Sequence, residues 1–180
     1  VGFFFMRGKR ESENAAFVIP TTFDTKDNFT GVVATLGEEY VVFRHPQRGF
    51  SVEYPKELIV EGYEEEDGGE TLVFREPELR ENSKDKRGFQ VYTIPFGEEV
   101  LTWERILKDL SSAVVLEPQT VTVNPNAEVP VHGFLFWSES PETGKMREVW
   151  FTNGGYLYAV TTYAHLDLWL AKILSTWRFE

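Results

Sequence analysis

The sequence predicts an α+β fold: one central antiparallel β-sheet flanked by helices on both faces, an α/β/α sandwich. Three observations predict it. Two turn signals near the C-terminus separate three runs of aromatic and β-branched residues. Those runs carry apolar bulk on both faces, where a sheet with one wet face would alternate more cleanly. Two amphipathic helical patterns, one internal and one C-terminal, supply the covers.

Taken in order, residues 1–39 read as an N-terminal linker with some ordered pieces, Phe17-Val-Ile-Pro20 and Gly31-Val-Val-Ala-Thr-Leu36 among them. The six residues Val1-Gly-Phe-Phe-Phe-Met6, followed by Arg7-Gly-Lys-Arg10, are too few to span a bilayer. They fit the tail of a truncated membrane anchor, or an ordinary N-terminal segment. Asn28-Phe-Thr30 matches the glycosylation triplet, which is common by chance.

Residues 40–180 read as one domain. Tyr40 to Arg44 and Gly49 to Pro55 are strands joined by His45-Pro-Gln-Arg48, and Pro55 ends the second because it cannot donate to a ladder. Leu58-Ile-Val60 is a short apolar run. Glu61 to Glu70, with the acidic Glu64 to Asp67, reads as a solvated turn before the strand Glu70 to Arg75. Pro77 to Lys86 is a charged loop, and Gly88 to Pro95 is a strand. Thr102 caps a helix whose stripe is Trp103, Ile106, Leu107 and Leu110. Ser111-Ser112 ends it, and Glu117 to Val123 begins the next strand.

The C-terminal stretch organises the rest. Gly133 to Glu139 and Lys145 to Thr152 are strands around the loop Pro141-Glu-Thr-Gly144. Asn153-Gly154 then turns the chain into Tyr156 to Tyr163. Leu166 to Trp177 reads as a helix, with Trp169 or Leu170, Ile173, Leu174 and Trp177 inward and Asp167 near its positive end. Arg178-Phe-Glu180 extends back along the domain.

Composition narrows the function. The 180 residues carry 29 acidic against 18 basic side chains, a net charge of −11, which argues against a nucleic-acid partner. There is no cysteine, so disulfides, thiol nucleophiles and thiolate metal sites are excluded. His45, His132 and His165 are scattered and read as loop or edge residues. The acidic run Glu64 to Asp67 lacks the alternating spacing by which side chains converge on a hard cation. Ser51 or Ser138 with His132 and Asp167 makes a triad only on paper, since no Gly-x-Ser-x-Gly elbow supports it. Glu139, Glu142 and Glu148 could supply a carboxylate pair for a hydrolase, but a solvated hairpin is the simpler setting. No catalytic, cofactor-binding or metal residue is therefore assigned, and no cofactor. Among five tryptophans, Trp103, Trp169 and Trp177 sit on helix stripes. Trp137 and Trp150 lie on neighbouring hairpin strands; sheet–helix packing is the simpler role, and outward facing they would form an aromatic recognition patch.

Arg48-Gly-Phe-Ser-Val-Glu-Tyr-Pro55, Leu72 to Arg75, Phe89-Gln-Val91, the helix around Leu101 to Leu110, Asn153-Gly-Gly-Tyr-Leu-Tyr158 and Ser175-Thr-Trp-Arg-Phe179 together resemble the PsbP-like family. That family includes the extrinsic subunit P of photosystem II and the Mog-type Ran-binding proteins. The resemblance spans roughly residues 40 to 180. It implies a central antiparallel sheet with helices on both sides and an accessory or binding protein without catalytic residues. It also implies an exported or membrane-tethered setting, hence an extracytoplasmic location and a protein partner, not named by the sequence. Nothing here matches the photosystem-contacting segment, so the calcium- and chloride-retaining role is not carried over. A carboxylate-based hydrolase and a subunit of a cell-surface assembly are the alternatives.

Overall fold

The computed structural model describes residues 39–77, 87–98, 100–125 and 127–180. Ten strands and two helices follow in the order β1 (Tyr40–Arg44), β2 (Phe50–Pro55), β3 (Ile59–Glu64), β4 (Glu70–Arg75), β5 (Gly88–Pro95), α1 (Trp103–Asp109), β6 (Val114–Thr122), β7 (His132–Ser140), β8 (Gly144–Asn153), β9 (Tyr156–Tyr163), α2 (Asp167–Ser175) and β10 (Arg178–Phe179). A 3-10 turn, Ala164–Leu166, leads into α2. Residues 1–38, with the apolar Val1 to Met6, the two short runs at Phe17 and Gly31 and the Asn28 triplet, lie outside the described residues, as does most of the Pro77 to Lys86 loop.

Seven strands form one sheet in the order β3-β4-β5-β9-β8-β7-β6, with antiparallel neighbours throughout. Three more form a small sheet, β1-β2-β10. The large sheet is apolar on both faces, and each face has its own core. On one, Phe74, Phe89, Val149, Phe151 and Tyr158 pack with Leu170, Ile173 and Leu174 of α2, with Trp177, and with Phe50 and Val52 of the small sheet. Trp177 stacks on Phe50 at 4.5 Å. On the other, Phe136, Trp150, Leu157 and Ala159 pack with Ile106 of α1, Phe96 and Leu101. We call these the α2 face and the α1 face.

The α+β class and the antiparallel sheet are as expected; full helical layers are not. α1 is seven residues long, and α2 shares its face with the small sheet. Aromatic side chains from β2 do the covering that a second helix would otherwise do. Thr102 caps α1 as expected, its hydroxyl accepting from the Arg105 N–H at 3.3 Å.

Three boundaries move. The run read as turn after Val60 continues as strand to Glu64, because Glu61 to Glu64 pair with β4, and the turn proper is Glu65 to Gly69. β6 starts at Val114, and Glu117, with φ of 50°, sits in a bulge between Leu116 and Gln119. The β8–β9 turn uses Gly154 and Gly155, at φ of 58° and 80°, as its central pair, leaving Asn153 in the ladder.

Candidate functional site

The β7–β8 hairpin decides where the aromatic candidates face. Its turn is Pro141 to Thr143, and Gly144, at φ of 70°, pairs with Ser140. That register sets Trp137 opposite Arg147 and Phe134 opposite Trp150. Trp137 and Trp150 therefore lie on opposite faces of the sheet and cannot form one patch. Trp150 is fully buried on the α1 face, where its Nε1 donates to Glu148. The expected two-tryptophan patch does not form: Trp150 is buried, and of the two only Trp137 is part-exposed.

Trp137 is half-buried on the α2 face. The Arg147 guanidinium lies 4.1 Å from its ring centroid and the Lys145 ammonium 4.6 Å. Its Nε1 donates to Glu117 Oε2 at 3.0 Å. The bulge holds Glu117 in the left-handed region and thereby aims the carboxylate at the indole. Arg147 is itself buried and donates through Nε to Asp167 at the start of α2, at 2.8 Å. Burial pushes its pKa down against the pull of Asp167 and Glu117; an arginine stays cationic regardless. Directly beside Trp137 on the edge strand is Leu116, 37% exposed, with Val114 at 51% two positions along. A held aromatic ring, exposed aliphatic neighbours and charged side chains thus share one stretch of surface. Sequence reading found Trp137 and missed its cationic bracket and the Glu117 bulge. Lys145 and Arg147 share the face of Trp137 only in the register that pairs Gly144 with Ser140, which no local sequence signal specified.

The other candidates do not converge. Glu139 and Glu142 are exposed at the hairpin end, while Glu148 is buried on the opposite face from Glu139. No carboxylate pair forms from these three. Ser138 is bonded to Glu148, His132 lies beside Thr122, and Asp167 holds Arg147, so the paper triad is dispersed. His165 stacks on Tyr163 at 5.8 Å, exposed.

His45 sits in its loop but is buried. Its Nδ1 accepts the backbone N–H groups of Gln47 and Arg48, both at 3.1 Å, and its Nε2 bonds Glu70 at 2.8 Å. Nδ1 thus holds the β1–β2 loop together, and Nε2 ties that loop to Glu70 of β4. The acidic run is likewise structural: Asp67 accepts from Gly69 N–H and from the Tyr92 hydroxyl, and Glu65 from Thr71. Among the described residues no group of three His, Asp or Glu gathers to hold a metal ion.

No family model and no curated protein matches the sequence. A solved structure does: the chain is similar to the solution structure of cyanobacterial PsbP (CyanoP) from Synechocystis sp. PCC 6803, with a TM-score of 0.50 and 11% identity. The match covers 84% of this chain and 99% of that one. At that identity the likeness speaks to architecture, and it agrees with the motifs from Gly49-Phe-Ser to Trp177-Arg-Phe. The chain has a PsbP-like fold.

Proposed function

We propose that this chain is a non-catalytic accessory protein of the PsbP-like type that binds a protein partner through the surface around Trp137. The observation that carries the reading is the Trp137 cluster: an indole fixed by Glu117, Lys145 and Arg147 beside exposed Leu116 and Val114. A ring immobilised before contact loses little entropy on binding. The fold-level likeness to PsbP supports the accessory role by analogy. An exported or membrane-tethered, extracytoplasmic setting belongs to the same reading, residues 1–39 being read as a linker that carries the tail of an anchor. Among the described residues no helix is long and apolar enough to cross a membrane. The carboxylate-hydrolase reading loses its motivating pair, because Glu139 and Glu148 face opposite ways.

The test is affinity capture from the native membrane fraction with the tagged wild-type chain and with Trp137→Ala. The expected result is one protein held stoichiometrically by the wild type and lost, by tenfold or more, from the variant. Equal capture by both would place the contact elsewhere.

A further inference from the structure

The β1–β2 loop closes on a histidine. His45 is 6% exposed, and its two ring nitrogens face different partners. Nδ1 accepts the backbone N–H groups of Gln47 and Arg48, both at 3.1 Å. Two donors converging on one nitrogen require its lone pair, so Nδ1 carries no proton. The ring proton therefore sits on Nε2, which donates to Glu70 Oε2 of β4 at 2.8 Å. The same loop makes further ties. Arg48 reaches the same Glu70 oxygen through Nε at 3.5 Å and lies over the Tyr156 ring of β9 at 4.5 Å. The Gly49 carbonyl accepts the Glu180 N–H at 2.8 Å, so the C-terminal residue hangs on the loop as well.

Few charged groups surround the ring. From β4 comes the Glu70 carboxylate, and from the loop itself the Arg48 guanidinium on the same oxygen. From β1 and β2 come the uncharged rings of Phe43 and Phe50, at 6.1 and 5.2 Å. Arg44 and Glu180 pair with each other at the exposed margin. Glu70 attracts a cationic ring, but it faces the nitrogen that already bears its proton. A second proton can go only to Nδ1, where it would point at two N–H groups. That proton and the two hydrogen bonds exclude one another.

We propose that the β1–β2 loop is a proton-operated latch, closed while Nδ1 of His45 is bare and released from Glu70, Tyr156 and Glu180 when Nδ1 takes a proton from solvent. The open loop holds one proton more than the closed one. Opening is therefore favoured as pH falls, by up to about tenfold per pH unit, and stops changing above the range in which a free imidazole titrates. The latch shares no residue with the Trp137 site and stands without the binding reading.

Nuclear magnetic resonance on the whole chain, from about pH 8 to about pH 4, tests this. The ring nitrogen signals report the tautomer and protonation of His45, with the exposed His132 and His165 as references. The expected result is a bare Nδ1 at the alkaline end. As His45 protonates, protection of the Gln47 and Arg48 amides falls by up to about tenfold per pH unit, while mid-sheet amides such as that of Val160 keep theirs. His45→Asn puts an amide oxygen in place of Nδ1; it accepts the same N–H groups and takes no proton, so the pH dependence disappears. Glu70→Gln keeps an acceptor at Nε2 without the carboxylate, and the acid response survives. Should His45→Asn fail to fold, the wild-type titration and Glu70→Gln decide. The inference is overturned by a His45 ring that protonates with both amides still protected, or by protection that stays constant across the range. A response that Glu70→Gln abolishes, or that His45→Asn retains, overturns it equally.

Discussion

Gly133 shows how closely single atoms are constrained. A Cβ there would meet the Trp150 carbonyl oxygen at 2.4 Å and Phe151 Cβ at 2.8 Å. The first neighbour is backbone in the adjacent strand, so relief requires β7 and β8 to separate. We predict that Gly133→Ala destabilises the protein by about 2 to 3 kcal/mol, measured by urea unfolding. Tyr158 makes the corresponding electrostatic statement. It is fully buried beneath Phe50 and Trp177, and burial raises its pKa from 10.0 to about 12, with Arg48 opposing. In the unfolded chain the phenol ionises near its ordinary value, so the folded state keeps the proton longer. Stability from this group is complete below pH 10 and lost as pH rises through about 12. The loss is on the order of 2 to 3 kcal/mol across that window. Ultraviolet titration checks it: Tyr158→Phe flattens the alkaline fall in stability. Trp137, by contrast, is half-buried, and Trp137→Ala costs only about 1 kcal/mol of stability while removing the partner contact.

Elements succeed or fail by what they cover. α2 places Leu170, Ala171, Ile173 and Leu174 on the sheet, so Ile173→Ala leaves a cavity in the centre of the larger core. The expected cost is about 2 to 5 kcal/mol by calorimetry, against about 1 kcal/mol for loss of the α1 cap in Thr102→Ala. Reversal of that order would mean that α2 is not the principal cover of its face. The two C-terminal turns explain what the sequence could and could not show. Asn153-Gly154 marked the β8–β9 hairpin, whose central pair lies one residue further on, at Gly154 and Gly155. The β7–β8 loop carried turn residues but not its own length. Read as Pro141 to Gly144, it sets Trp137 diagonal to Trp150 on one face; as a three-residue turn with Gly144 paired, it sets them on opposite faces. One residue of register flips every side chain, and nothing local distinguishes the two. β3 was under-read for a related reason. Glu61 and Glu64 look like turn residues, yet on an edge strand charge is tolerated, and Arg75 holds Glu61 at 2.7 Å.

At the scale of the whole molecule the sheet is two meanders, β3-β4-β5 and β9-β8-β7-β6, joined through their middle by β5 against β9. The two halves were legible from turns and alternation. Their junction was not, since strands that pair across the chain leave no local signal; Thr162 bonds the Gly88 carbonyl 74 positions away. The Trp137 site was legible as a residue and illegible as a place, because its ring, its cations and its bulge come from three strands and its anchor, Asp167, from a helix. The acid excess of the chain says nothing of where a partner would sit. The location of that partner is the central claim. A photo-crosslinking amino acid placed at Leu116, beside Trp137, and separately at Ile59 on the opposite edge strand, tests it most directly in native membranes. The account predicts one discrete adduct from Leu116 and none from Ile59; equal adducts from both edges, or none from Leu116, would contradict it.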